Sequence, residues 1–238
     1  WPESTMLSEE RNLIGFYISG HPLTAHEWAL KTFCLADARG LENMAAGSLT
    51  RIGGLVSQME KRLTKKTQEP WATFRLEDLN ASVNVMVFTE AFRDYGVFLQ
   101  NEAPVMVCGE LAKEEQQIRI KAAEIYPLKD VHRYFADRVS IHVPAVGIED
   151  EKLRHIREIL ARHPGETAVT LCLVFPSGEK VFVNADRTFK VAATEALVRD
   201  IEHAVGEGSV YIGVDKRPCR RSNGGRNGKP WNRSRQEG

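Results

Sequence analysis

Four cations lie within six residues, at Lys61, Arg62, Lys65 and Lys66, and a flat aromatic and a further cation follow at Trp71 and Arg75. Ammonium and guanidinium groups in such a run supply charge and forked hydrogen-bond donors, not a nucleophile or a proton relay. An indole beside them supplies a stacking face. That combination is how unpaired nucleobases are held, with the cations on the phosphates and the ring on a base. Charge alone does not separate this from a solvated hairpin loop. The adjoining Trp71 and Arg75 favour binding.

The elements that must position these groups are short strands. Residues 49–59, 71–77, 83–88, 105–111 and 118–125 read as five strands, with a helix begun at Thr89 between the third and fourth. In the second strand Ala72, Phe74 and Leu76 alternate with Trp71, Thr73, Arg75 and Glu77; in the third, Val83, Val85 and Val87 alternate with Asn84, Met86 and Phe88. Period-two aliphatic residues pack inward, so Trp71, Arg75 and Phe88 are expected on the outer face. Arg119 and Lys121 alternate outward on the fifth strand, where solvation and a nucleic-acid contact are equally consistent with the pattern. Five strands with a helix after the third is the order of an OB-type Greek-key barrel. Gly53-Gly54 in the first strand is expected to mark the bulge or bend that closes it.

No set of residues suggests catalysis or a metal centre. The seven histidines do not cluster, and Cys34, Cys108, Cys172 and Cys219 show no metal-ligand spacing. Asp78 reads as a turn residue and His21, beside Pro22, as a cap or packing residue. Formal net charge is zero, but residues 216–238 carry +7 and the rest of the chain −7. No apolar run is long enough for a membrane span, and no secretory signal is seen. The chain opens on Trp1, as expected of a segment of something longer, and the expected location is cytoplasmic.

Around the barrel, residues 1–47 read as a helical connector, with helices from Ser8 to about Ile18 and from Thr24 to Phe33. Residues 48–130 are the barrel. Residues 134–215 read as strand-helix-strand-strand-helix-strand, an α+β unit expected to be split in the ferredoxin manner, its first helix, Asp150 to Arg162, ended by Gly165. Residues 216–238 are a basic tail expected to be disordered, either a nucleic-acid arm or a solubilising extension.

Glu10 to Leu23, with Gly15-Phe16-Tyr17-Ile18-Ser19-Gly20-His21-Pro22-Leu23 at its centre, resembles the segment that precedes the OB domain in bacterial replicative DNA polymerases of the DNA polymerase III alpha family. Arg51-Ile52-Gly53-Gly54-Leu55-Val56, Thr64-Lys65-Lys66, Ala72 to Leu79, Val85 to Phe88 and Phe92 to Tyr95 resemble that family's first three strands and plug helix in order. Gly96 departs from the pattern by interrupting the plug helix. The resemblance implies that the barrel binds single-stranded template DNA, and that the second unit docks the clamp-loader tau subunit among other replisome subunits. It implies no cofactor in this segment, since the family's Mg²⁺-binding carboxylates and polymerase chemistry belong to a palm domain upstream, and no membrane partner. Two other readings stay open: an RNA-binding OB module such as the anticodon-reading part of a tRNA synthetase, and a barrel used only as a protein–protein scaffold.

Overall fold

The computed structural model describes residues 20–114, 117–146 and 149–220. The expected helix from Ser8 to Ile18, and the tail beyond Arg220, lie outside them. The connector enters through a 3₁₀ turn, Pro22–His26, which His21 caps by accepting a hydrogen bond from the Leu23 amide at Nδ1. Helix α1, Glu27–Phe33, follows and is shorter than the spacing predicts, because the turn takes its first residues. Leu23, Phe33 and Leu41 are fully buried in the same apolar cluster as the barrel strands, so the connector is packed as part of the barrel's core.

The barrel comprises β1 (Leu49–Leu63), β2 (Pro70–Glu77), β3 (Ser82–Val87), helix α2 (Thr89–Tyr95), β4 (Pro104–Glu114) and β5 (Gln117–Pro127). It closes in the order β1-β2-β3-β5-β4, and β3–β5 is its parallel pairing. Strand β1 does two jobs: residues 49–55 pair with β4 and residues 55–63 with β2. The bulge in β1 falls between Ser57 and Glu60, where Gln58 adopts a left-handed φ of 49°, and not at the glycine pair. The glycines serve close approach instead. A Cβ on Gly54 would lie 2.6 Å from the Glu77 carbonyl oxygen, whereas one on Gly53 would chiefly meet the Leu30 side chain. Helix α2 ends at the interrupting glycine: Gly96 is its C-cap and the chain continues as a 3₁₀ turn, Gly96–Phe98. Tyr95 and Leu99 are buried beneath it. Asp78 holds the β2–β3 turn, its Oδ1 accepting from the Asn80 and Ala81 amides at 2.7 Å, while its Oδ2 accepts from the Ala38 amide of the connector.

Helix α3 (Val131–Phe135) leads to the second sheet: β6 (Ala136–Pro144), α4 (Asp150–Arg162), β7 (Pro164–Val174), β8 (Lys180–Asn184), β9 (Lys190–Val191), α5 (Glu195–Val205) and β10 (Val210–Val214). Ile156, Ile159 and Leu160 of α4 and Leu197 and Ile201 of α5 cover Val139, Ile141, Val143 and Val169 of the sheet. The α+β character is as expected, but its strand order is β10-β6-β7-β8, with β6 and β7 parallel and directly adjacent. No strand is inserted between them, so the β-α-β unit is not split. Gly165 does not end α4, which finishes at Arg162; it lies inside β7, where a Cβ would sit 2.3 Å from the Ala192 backbone nitrogen.

The two sheets meet around one buried cation. Arg51 is fully buried on β1; its Nε donates to the Phe33 carbonyl at 2.7 Å, Nη2 to the Asp215 carbonyl at 3.0 Å and Nη1 to the Arg217 carbonyl at 3.1 Å. The guanidinium lies 4.0 Å over the Phe135 ring. Residues 216–220 therefore do not join the expected disordered tail: Cys219 is buried in the barrel cluster, and the Arg220 amide donates to Glu124 Oε2 at 2.8 Å. Arg51→Met removes the donors and leaves three carbonyls behind; it should cost roughly 3–5 kcal/mol, read as a lower midpoint in urea unfolding. Arg51→Lys, which keeps the charge but not the fork, should recover only part of it.

The Arg217 side chain, which hydrogen-bonds both Asp215 carboxylate oxygens, holds that carboxyl below its usual range. A depressed folded-state value contributes stability that is complete above the unfolded carboxylate pKa of about 3.9 and fades as pH falls through the folded one. Asp215→Asn should therefore lower stability at neutral pH and flatten its loss on acidification, which thermal unfolding across an acid pH series measures.

Candidate nucleic-acid interface

The alternation of β2 and β3 places Ala72, Phe74, Leu76, Val83, Val85 and Val87 in the core and turns their neighbours outward. Strand register then brings outward residues of different strands into rows. Arg62 pairs with Trp71 across β1–β2, and Ala72 pairs with Val87, so continuing that register sets Phe88 opposite Trp71. Glu60, Thr73, Met86 and Lys121 form a second row, and Ser57, Arg75, Asn84 and Arg119 a third. Successive rows on one face are about 7 Å apart, two residues of strand rise, which is the spacing of extended nucleotides in scale.

The face has an aromatic end and a polar end. Phe88 is 47% exposed, and the Arg62 guanidinium sits 5.9 Å from the Trp71 ring centroid. Of the cations named from the sequence, three carry local partners: Arg62 pairs with Glu60 at 2.5 Å, Arg75 Nε donates to Ser82 Oγ at 2.7 Å, and Arg119 pairs with Glu114 at 3.3 Å and donates to Gln117 Oε1. Lys121 is exposed in register with Glu110 and Met86 and makes no ion pair among the described residues. Lys61, Lys65 and Lys66 are exposed on the protruding β1–β2 arm, likewise without an ion pair among the described residues.

Lys61 is separated from the others by the pleat. It points away from the Arg62–Trp71 row into a cleft of about 400 Å³ between the arm and the plug helix, lined by Lys61, Glu69 and Pro70 from the arm and by Phe92, Arg93 and Val97 from the plug helix and the turn that follows it. Arg93, on α2, carries no signal in the sequence, because the cleft joins elements that only the closed barrel brings together. The apolar alternation that marked β2 and β3 says nothing about a helix facing a hairpin arm.

No helix among the described residues is long and apolar enough to cross a membrane. Cys108 and Cys172 are buried among apolar strand residues as expected of small hydrophobes, and burial pushes the Cys34 thiol up to about 12 and the Cys219 thiol up to about 11.

Residues 50–128 match the family model described as the OB-fold nucleic acid binding domain, of the tRNA anticodon type. The chain is also similar to DNA polymerase III subunit alpha of Mycobacterium tuberculosis, at 29% identity over 212 residues that make up 87% of this chain and 18% of that protein. The subunit of the same name from Saccharopolyspora erythraea is 29% identical over 217 residues, again 87% of this chain and 18% of that protein. The one from Escherichia coli K12 is 22% identical over 221 residues, 90% of this chain and 19% of that protein. The chain thus spans about a fifth of the length of the curated relatives it matches. Among solved structures, the SSB domain of a Synechococcus sp. protein aligns with 35% of this chain and 98% of its own at 13% identity and a TM-score of 0.31, a likeness too slight to carry weight. Residues 50–128 thus form an OB-type barrel that matches the OB-fold nucleic acid binding domain model, set in a chain that is similar along most of its length to one segment of DNA polymerase III alpha subunits.

Proposed function

We propose that this chain is the template-handling segment of a DNA polymerase III alpha subunit and that its barrel binds single-stranded DNA on the outer face of β2, β3 and β5. The observation that carries this reading is the row Arg62–Trp71–Phe88, two aromatics side by side with a cation, next to an arm bearing three exposed lysines without ion pairs among the described residues. Bases stack on Trp71 and Phe88 while Lys65, Lys66 and Lys121 follow the phosphates. Such contacts read no base edges, so sequence preference is slight. Arg75 and Arg119, each tied to a neighbour, position the polar end of the face and give weaker phosphate contacts. The segment performs no polymerisation by itself; the Mg²⁺ chemistry of the whole subunit would reside in its other domains, and its place of work would be the cytoplasm.

The second sheet is assigned to partner docking within the replisome, with the clamp-loader tau subunit as the partner that the resemblance implies. The apolar residues left exposed on its edge strand, Val181, Phe182 and Val183, support a protein partner there.

Binding of a labelled thymidine oligomer to the whole chain, measured across a salt series, tests the barrel's role. Log affinity should fall with log salt by about 0.7 for each phosphate contact. Changing Lys61, Arg62, Lys65 and Lys66 together to Ala should flatten that slope and abolish most binding. Trp71→Ala should weaken binding about tenfold or more at every salt concentration, since loss of a stacking platform is worth about 1–3 kcal/mol, and leave the slope unchanged. Equal affinity in wild type and both variants contradicts the reading. A uridine oligomer bound more tightly than the thymidine one favours the RNA-binding alternative.

A further inference from the structure

We infer that the cleft between the β1–β2 arm and the plug helix is a continuation of the single-strand path, taking one nucleotide beyond Phe88 with Arg93 and Lys61 on its phosphate. The inference rests on the proposed binding face and extends it. Three observations carry it. The first is continuity: Phe88 ends the aromatic row and is at once the residue preceding α2, so a strand stacked on it is led by the same backbone to Thr89 and the cleft. The second is charge. Lys61 of β1 and Arg93 of α2 both line the cleft and both are exposed; the Arg93 side chain is 69% exposed, and its one ion pair among the described residues is with Asp94, at 3.9 Å. Glu69 also lines the cleft, with its Oε2 engaged by the Thr67 hydroxyl at 2.9 Å, so two cations oppose one acid already hydrogen-bonded.

The third observation is the floor. Val97 is 75% exposed, an apolar side chain standing in solvent at the end of the plug helix. The Phe92 ring lies across Gly96 so closely that a Cβ there would come within 3.3 Å of its atoms. The absence of a side chain at Gly96 leaves that part of the floor low. A volume of about 400 Å³ admits a base and its sugar, within the size range of small-molecule sites. The wall cations and the apolar floor together repeat, on the other side of the pleat, the stacking-plus-charge pairing of the outer face.

The test uses the whole chain and a series of thymidine oligomers of increasing length, with wild type, Arg93→Ala, Arg93→Glu and the four-residue arm variant compared across salt. Arg93 is largely exposed, so its variants should fold normally, as near-ultraviolet circular dichroism checks. Wild type should gain affinity when the oligomer grows long enough to pass Phe88. Arg93→Ala should lose that gain and show a salt slope smaller by about 0.7, Arg93→Glu should bind long oligomers more weakly still, and all three should bind the shortest oligomer alike. Arg93 variants that match wild type at every length, while the arm variant loses binding, overturn the cleft and leave the outer face standing. A wild-type chain that binds no oligomer overturns both.

Discussion

Three backbone carbonyls, contributed by Phe33, Asp215 and Arg217, converge on the guanidinium of Arg51. They come from two distant parts of the chain: Phe33 ends the connector helix, and Asp215 and Arg217 lie in the segment that follows β10. Arginine presents its donors in a fixed planar fork, which suits such a convergence and which no other side chain reproduces. Burial pulls its pKa down, yet guanidinium stays charged, so the site is committed to its partners. Phe135 closes the remaining face, and through the Tyr126 ring, 5.5 Å from Phe135 and 5.7 Å from Tyr95, the same aromatic contact reaches the plug helix. The geometry of the barrel's closed end and the seat of the second sheet thus depend on one buried cation.

The aromatic rings of the barrel divide between its interior and its surface. The buried aromatics, Tyr95, Tyr126 and Phe135, serve the interior, while Trp71 and Phe88 lie at the surface in one row. The arm of β1 and β2 carries exposed lysines that pair with no acid among the described residues. A protein that keeps its charge pairs local, as with Arg62 and Glu60 or Arg119 and Glu114, and leaves Lys61, Lys65 and Lys66 exposed without an ion pair among the described residues presents positive potential on the arm.

The sequence made the barrel legible because its inner and outer residues alternate cleanly. Ala72, Phe74 and Leu76 against Trp71, Thr73 and Arg75 state the pleat directly, and once the pleat is known the outer face follows. What it could not show was distance along the chain. Arg51 stands between Thr50 and Ile52 in an apolar strand, and its partners lie 18 and more than 160 residues away. Strand order in the second sheet was equally hidden, since a split and an unsplit unit share one order of elements. Gly165 looked like a helix stop, and only the approach of Ala192 explains it. Residues 216–220 have the composition of a tail, but the chain's path past Arg51 and Glu124 gives them fixed partners. The cleft holding Arg93 depends on a helix meeting a hairpin arm, a juxtaposition that no local pattern encodes.

Single-strand binding on the outer face is most directly checked by nuclear magnetic resonance of the labelled chain, following amide shifts as a thymidine oligomer is added. The shifts should concentrate on the β1–β2 arm, on Trp71 to Arg75, on Asn84 to Phe88 and on Arg119 to Lys121, with the amides around Arg51 and the second sheet unmoved. Shifts confined to the second sheet, or none at saturating oligomer, would contradict it.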